Sequence, residues 1–221
     1  VVGRVFNVPP SHVIFTSGGT ESNNLAIWGA LGGLTQGIQW LKSGGEGQII
    51  TSLNEHDSTK KPVECLENRG AAVVWIGVDQ EGFLDLSALG NALLKRTKLL
   101  TIHHVQNEVG TVQRLRAISD LVRARQPNAL IHTDAVQSFL KMPLDPDALG
   151  VDLLSISGHK IGAPKGIGAL ILGKRFENRK PRIEPFIQGS IQQGGSRPGT
   201  VPVPLIGSLA AAIEWGNENL A

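Results

Sequence analysis

Five short polar stretches follow apolar runs, and their side chains could together bind a phosphorylated, electrophilic ligand. They are SGGTESNN from Ser17, LNEHDS from Leu53, QNEVGT from Gln106, the pair Asp134 and Gln137, and SGHK from Ser157. Gly18 and Gly19 permit a tight turn, and a helix that opens at Thr20 would present free backbone N–H groups to an anion. The other stretches add a carboxylate, a hydroxyl, an imidazole and an amine.

Each of these residues also has an ordinary structural explanation. A glycine-rich turn often only connects a strand to a helix, and His56 could be a surface histidine. Asp134 could cap the turn that follows it, and Lys160 could be a solvated lysine. Taken together, however, the side chains suit a cofactor that carries a phosphate, a basic ring nitrogen and an aldehyde. Pyridoxal 5'-phosphate has these three groups, and a lysine, an aspartate and phosphate donors are what it requires.

Short apolar runs alternate with helical patterns along the chain, which predicts the framework that positions these residues. Strands are predicted over residues 13–16, 47–52, 71–78, 98–105, 129–135, 151–157 and 167–172. Helices are predicted over residues 20–34, 57–69, 86–95 and 114–125. This alternation favours an α/β fold with a mostly parallel seven-stranded sheet between helices. In such sheets ligands bind beyond the carboxyl ends of the strands, where the polar stretches fall.

Composition argues against several classes of protein. The 221 residues are 41% hydrophobic and 18% charged with a net charge of +2, which fits one globular domain and gives no support to a nucleic-acid partner. A single cysteine excludes an internal disulfide and suits a reducing, cytoplasmic compartment. No apolar run is long enough for a membrane span. No Cys/His cluster has zinc spacing, because the adjacent His103 and His104 would face opposite sides of a strand.

One rival interpretation is a phosphate-binding loop for nucleotides. Gly168, Gly173 and Lys174 match the GxxxxGK pattern, but the residues between the glycines have the composition of a strand. Arg175 also occupies the position where magnesium requires a hydroxyl. We therefore expect no nucleotide loop here. The segment over residues 174–199 is instead predicted to be one long irregular stretch, of the kind that often forms a functional loop.

Six motifs in order resemble the cysteine desulfurases and their close relatives the selenocysteine lyases, in the class V aminotransferase group. The motifs are FTSGGTESNNLAIWG, EHDS, HVQNEVGTVQ, HTDAVQS, SISGHKIGAPKGIGAL and GGSRPGT. The resemblance runs from about residue 3 to the end of the chain. It implies the large domain of the pyridoxal phosphate-dependent transferase fold type I, as a single domain over residues 1–221. It further implies that the N-terminal segment and C-terminal small domain of the family are absent.

The resemblance gives roles to the residues that would contact the cofactor ring. Lys160 would form the Schiff base and carry a proton between the substrate's α-carbon and the cofactor. Asp134 would pair with the ring nitrogen, and Gln137 would bond the phenolic oxygen. His56 would stack on the ring and is, with Lys160, the expected catalytic pair.

The resemblance also implies which residues bind the phosphate and the substrate. Thr20, Ser157 and His159 would bind the phosphate, and Gly19 would let the backbone approach it. Asn107 would lie beside the substrate's carboxylate. The family is homodimeric, and Thr200 would reach the cofactor phosphate of the partner subunit.

The implied reaction removes sulfur from L-cysteine, releases alanine and leaves a persulfide for a sulfur-acceptor protein, for example in iron–sulfur cluster biogenesis. The family's persulfide cysteine and its carboxylate-binding arginine lie beyond the end of this chain, and we expect Cys65 to be only a half-buried helix residue. EHDS and RPGT are closer to selenocysteine lyases, whereas HVQNEVG is closer to desulfurases. The substrate therefore stays open between cysteine and selenocysteine, and a non-catalytic cofactor-binding or assembly module is the other alternative.

Overall fold

A central sheet of seven strands organises the protein in the computed structural model, which describes residues 1–33, 37, 47–178 and 183–219. The strands are β1 (Val13–Thr16), β2 (Gln48–Ser52), β3 (Ala72–Ile76), β4 (Thr97–His103), β5 (Leu130–Asp134), β6 (Leu153–Ser157) and β7 (Gly168–Leu172). Every strand predicted from the sequence is confirmed, with bounds that differ by at most two residues at each end.

The strand order β1-β7-β6-β5-β4-β2-β3 brings the polar stretches to one edge of the sheet. Strands β3, β2, β4, β5 and β6 pair in parallel, whereas β7 is antiparallel to both β6 and β1. The expected mostly parallel α/β sheet is therefore confirmed. Because β7 runs the opposite way, its first residue Gly168 lies beside Thr16 and Ser157, the last residues of β1 and β6.

Helices connect and cover the strands. They are α1 (Val2–Val5), α2 (Gly19–Ala30), α3 (Asp57–Glu67), α4 (Leu86–Ala92), α5 (Leu115–Arg125), α6 (Pro146–Leu149), α7 (Lys174–Asn178) and α8 (Val203–Asn219). Short 3-10 turns lie at Pro10–His12 and Gly158–Ile161, and a kinked turn in which Gln193 and Gly194 have positive φ lies at Gln192–Gly195. The four helices predicted from the sequence are confirmed; α2 ends as a regular helix at Ala30, and residue 34, the end of its predicted range, lies outside the described residues.

The long helix α8 was not predicted, because the sequence VPVP at its start resembles a break. Pro204 is the second residue of the helix. A proline is tolerated in the first helical turn, where the backbone N–H groups have no partner within the helix. The chain after Val203 therefore continues as a helix that buries Leu209 and Ile213 against the sheet.

Apolar side chains cover both faces of the sheet, as the unbroken apolar strands require. On one face, Leu25 of α2 packs with Leu153 and Leu170. On the other, Ile156 and Ile171 share a cluster with Leu209 of α8. The alternation along the strands thus divides the core into two layers. No helix within the described ranges is long and apolar enough to cross a membrane.

Two sequence interpretations are resolved by these elements. Residues 168–172 form strand β7, so GxxxxGK does not form a nucleotide loop. The stretch 174–199 is less irregular than predicted, since it contains α7 and the turn Gln192–Gly195; residues 179–182 lie outside the described part. The side-chain amide of Gln193 pairs with both backbone groups of Phe15 on the edge strand β1, at 2.6 and 2.8 Å, and so anchors this stretch to the sheet.

Candidate active site

A cavity of about 360 Å³ lies at the edge of the sheet where the polar stretches meet. It is lined by Gly19, Thr20, His56, Ser58, His103, Val105, Asn107, Asp134, Val136, Gln137, Ser157, His159 and Lys160. Nine of the ten residues singled out from the sequence are in this group. The tenth, Thr200, is exposed and is not among the described residues that line the cavity of its own chain.

The start of helix α2 forms one end of the cavity. Gly18 precedes the helix with φ of 154° and gives it no side-chain cap, so the first backbone N–H groups stay available to an anion. A β-carbon on Gly19 would stand 2.6 Å from Cγ2 of Val136 and 3.5 Å from Cβ of Ser157. A residue with a side chain would clash here, so glycine allows the start of α2 to lie this close to Val136 and Ser157. Ser157 Oγ lies 2.8 Å from Nδ1 of His159, which places two further polar groups at this end.

The acidic Glu21 in the first turn of α2 would repel an anion if it were left unpaired. Arg197 donates to it from Nε at 2.8 Å, and the Ser17 N–H donates at 2.7 Å. Burial favours a higher pKa for Glu21, but these hydrogen bonds outweigh burial and its pKa is lowered. The arginine thus neutralises the carboxylate beside the anion-binding end.

Asp134 supplies a buried carboxylate to the cavity. It is the last residue of β5; Oδ1 accepts from the Val136 N–H at 2.9 Å and Oδ2 accepts from Asn23 at 2.6 Å. Burial raises the pKa of Asp134, while these two hydrogen bonds partly oppose the rise. A buried carboxylate of this kind gains free energy from a cationic partner, which a protonated pyridine nitrogen would provide.

Lys160 lies in the short loop between the antiparallel strands β6 and β7. The loop is closed at its base by the Gly158 N–H, which donates to the Ile167 carbonyl at 2.9 Å. Residues Gly158–Ile161 form one 3-10 turn that ends at Gly162 with φ of 85°. This turn places Lys160 and His159 along the wall of the cavity. Burial, followed by the charges of Lys160 and Lys165, lowers the pKa of His159 and favours its neutral form.

His56 caps helix α3 and lines the cavity at the same time. Its Nδ1 accepts from the Ser58 N–H at 3.1 Å and lies 2.7 Å from Ser58 Oγ. Because the cap fixes the ring through Nδ1, the imidazole is held at the cavity wall by the start of a helix.

Four cavity residues were not identified from the sequence: Ser58, His103, Val105 and Val136. Behind them lie Asn23 and Glu55, which the sequence also left unassigned. Nδ1 of His103 is 2.9 Å from Oε1 of Glu55, although the two are not aligned as a hydrogen bond. The signal available in the sequence was that Glu55 precedes His56 and Asn23 follows Glu21 within the quoted motifs.

Cys65 lies on α3 and is partly buried, with Sγ accepting from the Arg69 guanidinium. It does not line the cavity. Within the described ranges, no group of three or more His, Cys, Asp or Glu side chains could hold a metal ion.

The donor set fits pyridoxal phosphate. The open helix start with Thr20 and Ser157 would provide donors for a phosphate, the buried Asp134 would provide an anion for the ring nitrogen, and Lys160 would provide the amine for the aldehyde. The missing side chain at Gly19 lets the start of α2 pack against Val136 and Ser157, which also line the cavity.

Comparison with known proteins agrees with this assignment. The sequence model of the family "Aminotransferase class-V" matches residues 1–220. This match confirms the family expected from the six motifs, together with its pyridoxal phosphate cofactor and its fold.

Relatives with known names are similar over almost the whole chain. "Cysteine desulfurase IscS" of Rickettsia rickettsii (strain Iowa) is 39% identical over 214 residues, which cover 97% of this chain and 49% of the relative. "Cysteine desulfurase, mitosomal" of Trachipleistophora hominis is 42% identical over 99% of this chain and 47% of its own length. The chain thus spans about half the length of these curated relatives.

A solved structure described as "SspA in complex with cysteine" superposes with a TM-score of 0.85 and 38% identity, over 96% of this chain and 58% of that protein. The sequence motifs, the sheet, the cavity and these similarities agree. The chain belongs to the class V aminotransferase family.

Proposed function

We propose that this chain forms the cofactor-binding domain, over residues 1–221, of a pyridoxal phosphate-dependent cysteine desulfurase. The observation that carries the proposal is the convergence of Lys160, Asp134 and the open start of helix α2 on one cavity. The names of the relatives and the cysteine in the SspA structure support L-cysteine as substrate.

When bound, the cofactor supplies an electron sink that stabilises negative charge at the substrate's α-carbon. The residues of the protein would orient the cofactor and the substrate and would transfer protons between them. Asp134 would hold the ring nitrogen in its protonated form, and the α2 N-terminus would fix the phosphate. His56, held by its cap, would cover one side of the ring.

Lys160 would move the proton. Its amine would take the proton from the substrate's α-carbon, since Lys160 lines the cavity from a loop held between two strands. Asn107, at the cavity rim after β4, would donate to the substrate's carboxylate. Gln137, three residues after Asp134, would donate to the phenolic oxygen of the ring.

Borohydride trapping tests this proposal. After incubation with pyridoxal phosphate and reduction, peptide mass spectrometry should find one pyridoxyl adduct, on Lys160. The adduct should be absent from Lys160→Ala and retained in Lys165→Ala, which removes the exposed neighbouring lysine. Adducts spread over many lysines, or none, would contradict a cofactor site at Lys160.

Turnover separates the enzyme from its two alternatives. We expect this domain, in a protein that also carries the family's persulfide cysteine and with a dithiol present to accept the sulfur, to release alanine from L-cysteine, with L-selenocysteine as the comparison substrate. Much faster release from selenocysteine would favour a selenocysteine lyase. A Lys160 adduct without release of alanine from either substrate would favour a cofactor-binding or assembly module.

Three further parts of the proposal concern the surroundings of the protein. It would act as a homodimer in which Thr200 approaches the partner's phosphate, it would pass sulfur to an acceptor protein, and it would work in the cytoplasm. Thr200→Ala should lower cofactor affinity in a dimer, because the exposed hydroxyl would act across the interface. Sedimentation of the cofactor-loaded protein tests the dimer, and a monomer with full affinity would contradict it.

A further inference from the structure

We propose that Asn23 is a positioning residue that links the carboxylate of Asp134 to the imidazole of His56 through one hydrogen-bond relay. This inference rests on the proposed function where it concerns the cofactor. The relay itself is formed by groups of this chain alone.

Asn23 is fully buried on helix α2, behind the cavity wall. Its Nδ2 donates to Asp134 Oδ2 at 2.6 Å and to Ser58 Oγ at 2.8 Å. An amide nitrogen has two protons, and both are used. The amide orientation follows from chemistry, because an ionised carboxylate can only accept, and the amide oxygen in that position would face an acceptor.

The hydrogen bonds of the relay keep the same donor-to-acceptor direction from Asn23 through Ser58 to His56. Because Ser58 Oγ accepts from Asn23, its own proton is available for Nδ1 of His56 at 2.7 Å. The Ser58 N–H also donates to Nδ1, at 3.1 Å. Since Nδ1 receives donors, the proton of the neutral imidazole belongs on Nε2. The relay therefore selects one tautomer of His56.

Helix α2 thus connects two groups that belong to different strands and loops. Asp134 ends β5 and His56 follows β2, yet one buried amide contacts Asp134 directly and His56 through Ser58. Glu55 and His56 are the other charged or titratable groups that act on Asp134: Glu55 favours a higher pKa and His56 a lower one. A change at Asn23 should therefore move both the cofactor affinity and the His56 tautomer.

Asn23→Asp is the decisive variant, because it replaces the donor by a second carboxylate beside Asp134. We expect pyridoxal phosphate affinity at about pH 8 to fall at least about tenfold relative to wild type. The ratio of the variant's cofactor affinity to that of wild type should recover toward one as the pH is lowered to about 6, since two adjacent carboxylates then share a proton. Ser119→Ala, which removes a buried hydroxyl that donates to backbone carbonyls far from the cavity, should leave the ratio near one.

The tautomer gives a measurement that needs no cofactor. In wild type, ¹⁵N shifts of His56 should report a proton on Nε2. In Asn23→Asp the new carboxylate accepts the Ser58 hydroxyl proton, so Ser58 Oγ no longer donates to Nδ1 of His56. Only the Ser58 N–H then still favours an unprotonated Nδ1, and the Nδ1–H fraction should rise relative to wild type. An unchanged tautomer together with unchanged affinity at both pH values would overturn the inference.

The outcomes for the relay and for the proposed function are separable. A wild-type protein that shows the Nε2–H tautomer but no Lys160 adduct would contradict the cofactor site and leave the relay intact. If Asn23→Asp does not fold, Asn23→Ala replaces it: about tenfold weaker cofactor binding is then expected, and affinity within about twofold of wild type would overturn the inference.

Discussion

A β-carbon placed on Gly168 of strand β7 would stand 2.7 Å from the Cα atom of Gly18, the residue before helix α2, and 2.6 Å from the Ile156 carbonyl oxygen. Both obstacles are backbone atoms, which cannot move aside as a side chain can. The absence of a side chain at Gly168 is therefore a condition for the position of the anion-binding turn.

Gly168→Ala should consequently destabilise the fold by about 1–3 kcal/mol and weaken cofactor binding, because the turn at Gly18 must shift. Urea denaturation and cofactor titration measure the two effects. Gly207→Ala is the matched control, since a β-carbon there meets nothing within 4 Å and alanine favours the helix. Equal stabilities of the two variants would contradict the close-packing argument.

The ion pair between Arg197 and Glu21 should contribute measurably to stability, because the two side chains are only 18% and 10% exposed. We expect Arg197→Gln to cost about 1–3 kcal/mol at neutral pH. A double-mutant cycle with Glu21→Gln isolates the pair. Lys61→Gln, which removes a surface pair with Glu64, should have no measurable effect on the free energy of unfolding, because solvent screens the exposed charges.

The pH dependence of this pair has a defined sign. The pKa of Glu21 is lowered in the folded protein, so its stabilisation is present above the ordinary value of 4.5 and is lost as the pH falls through the folded value. Arg197→Gln should reduce that acid loss. An unchanged acid profile would show that the Ser17 N–H alone sets the Glu21 pKa.

Gln193→Ala should leave the backbone N–H and carbonyl of Phe15 on the edge strand β1 without their side-chain partner. Its amide satisfies both the N–H and the carbonyl of Phe15 on β1, and an unpaired edge strand can pair with another chain. We expect a loss of about 1–3 kcal/mol and greater self-association, measured by denaturation and light scattering. Gln192→Ala, which removes an amide oxygen that accepts from the Gly199 N–H, is the neighbouring control; equal self-association of both variants would argue against edge protection.

Acid should destabilise the protein well above the range in which carboxylates titrate. Burial lowers the pKa of His132 to about 3 and that of His104 to about 4, so both stay neutral in the folded state. In the unfolded chain each binds a proton below about pH 6.5, so stability falls as the pH drops from about 6.5. Each contributes a slope of about 1.4 kcal/mol per pH unit.

His132→Gln tests this dependence because glutamine can still bond Thr101 and Ser155, the two partners of the imidazole. Its stability should fall less steeply between about pH 6 and about pH 5 than that of wild type. His159→Gln removes an exposed imidazole and should keep most of the slope. Parallel curves for wild type and His132→Gln would show that His132 is protonated in the folded protein.

The sequence predicted the sheet and most of the cavity because both depend on local patterns. Apolar runs located all seven strands, and polar residues directly after β1, β5 and β6 located the cavity. Helix α8 was not predicted because prolines usually interrupt a helix, whereas here they stand at its start, where a helix tolerates them. Asn23 and Glu55 escaped for a different reason: each acts through a contact with a residue far away in sequence, Asp134 and His103 respectively.

The reversed direction of strand β7 also sets the order in which the cavity can be completed during folding. The loop with Lys160 closes between two strands that are neighbours in sequence, so its contacts form over a short chain distance. The pairing of β1 with β7 instead joins Thr16 to Gly168, from opposite parts of the chain. We expect the Lys160 loop to close before β1 pairs with β7, because its contacts span fewer residues, and the anion-binding turn to take its position after that loop. Uptake of a phosphorylated ligand would then report that β1 has joined the sheet.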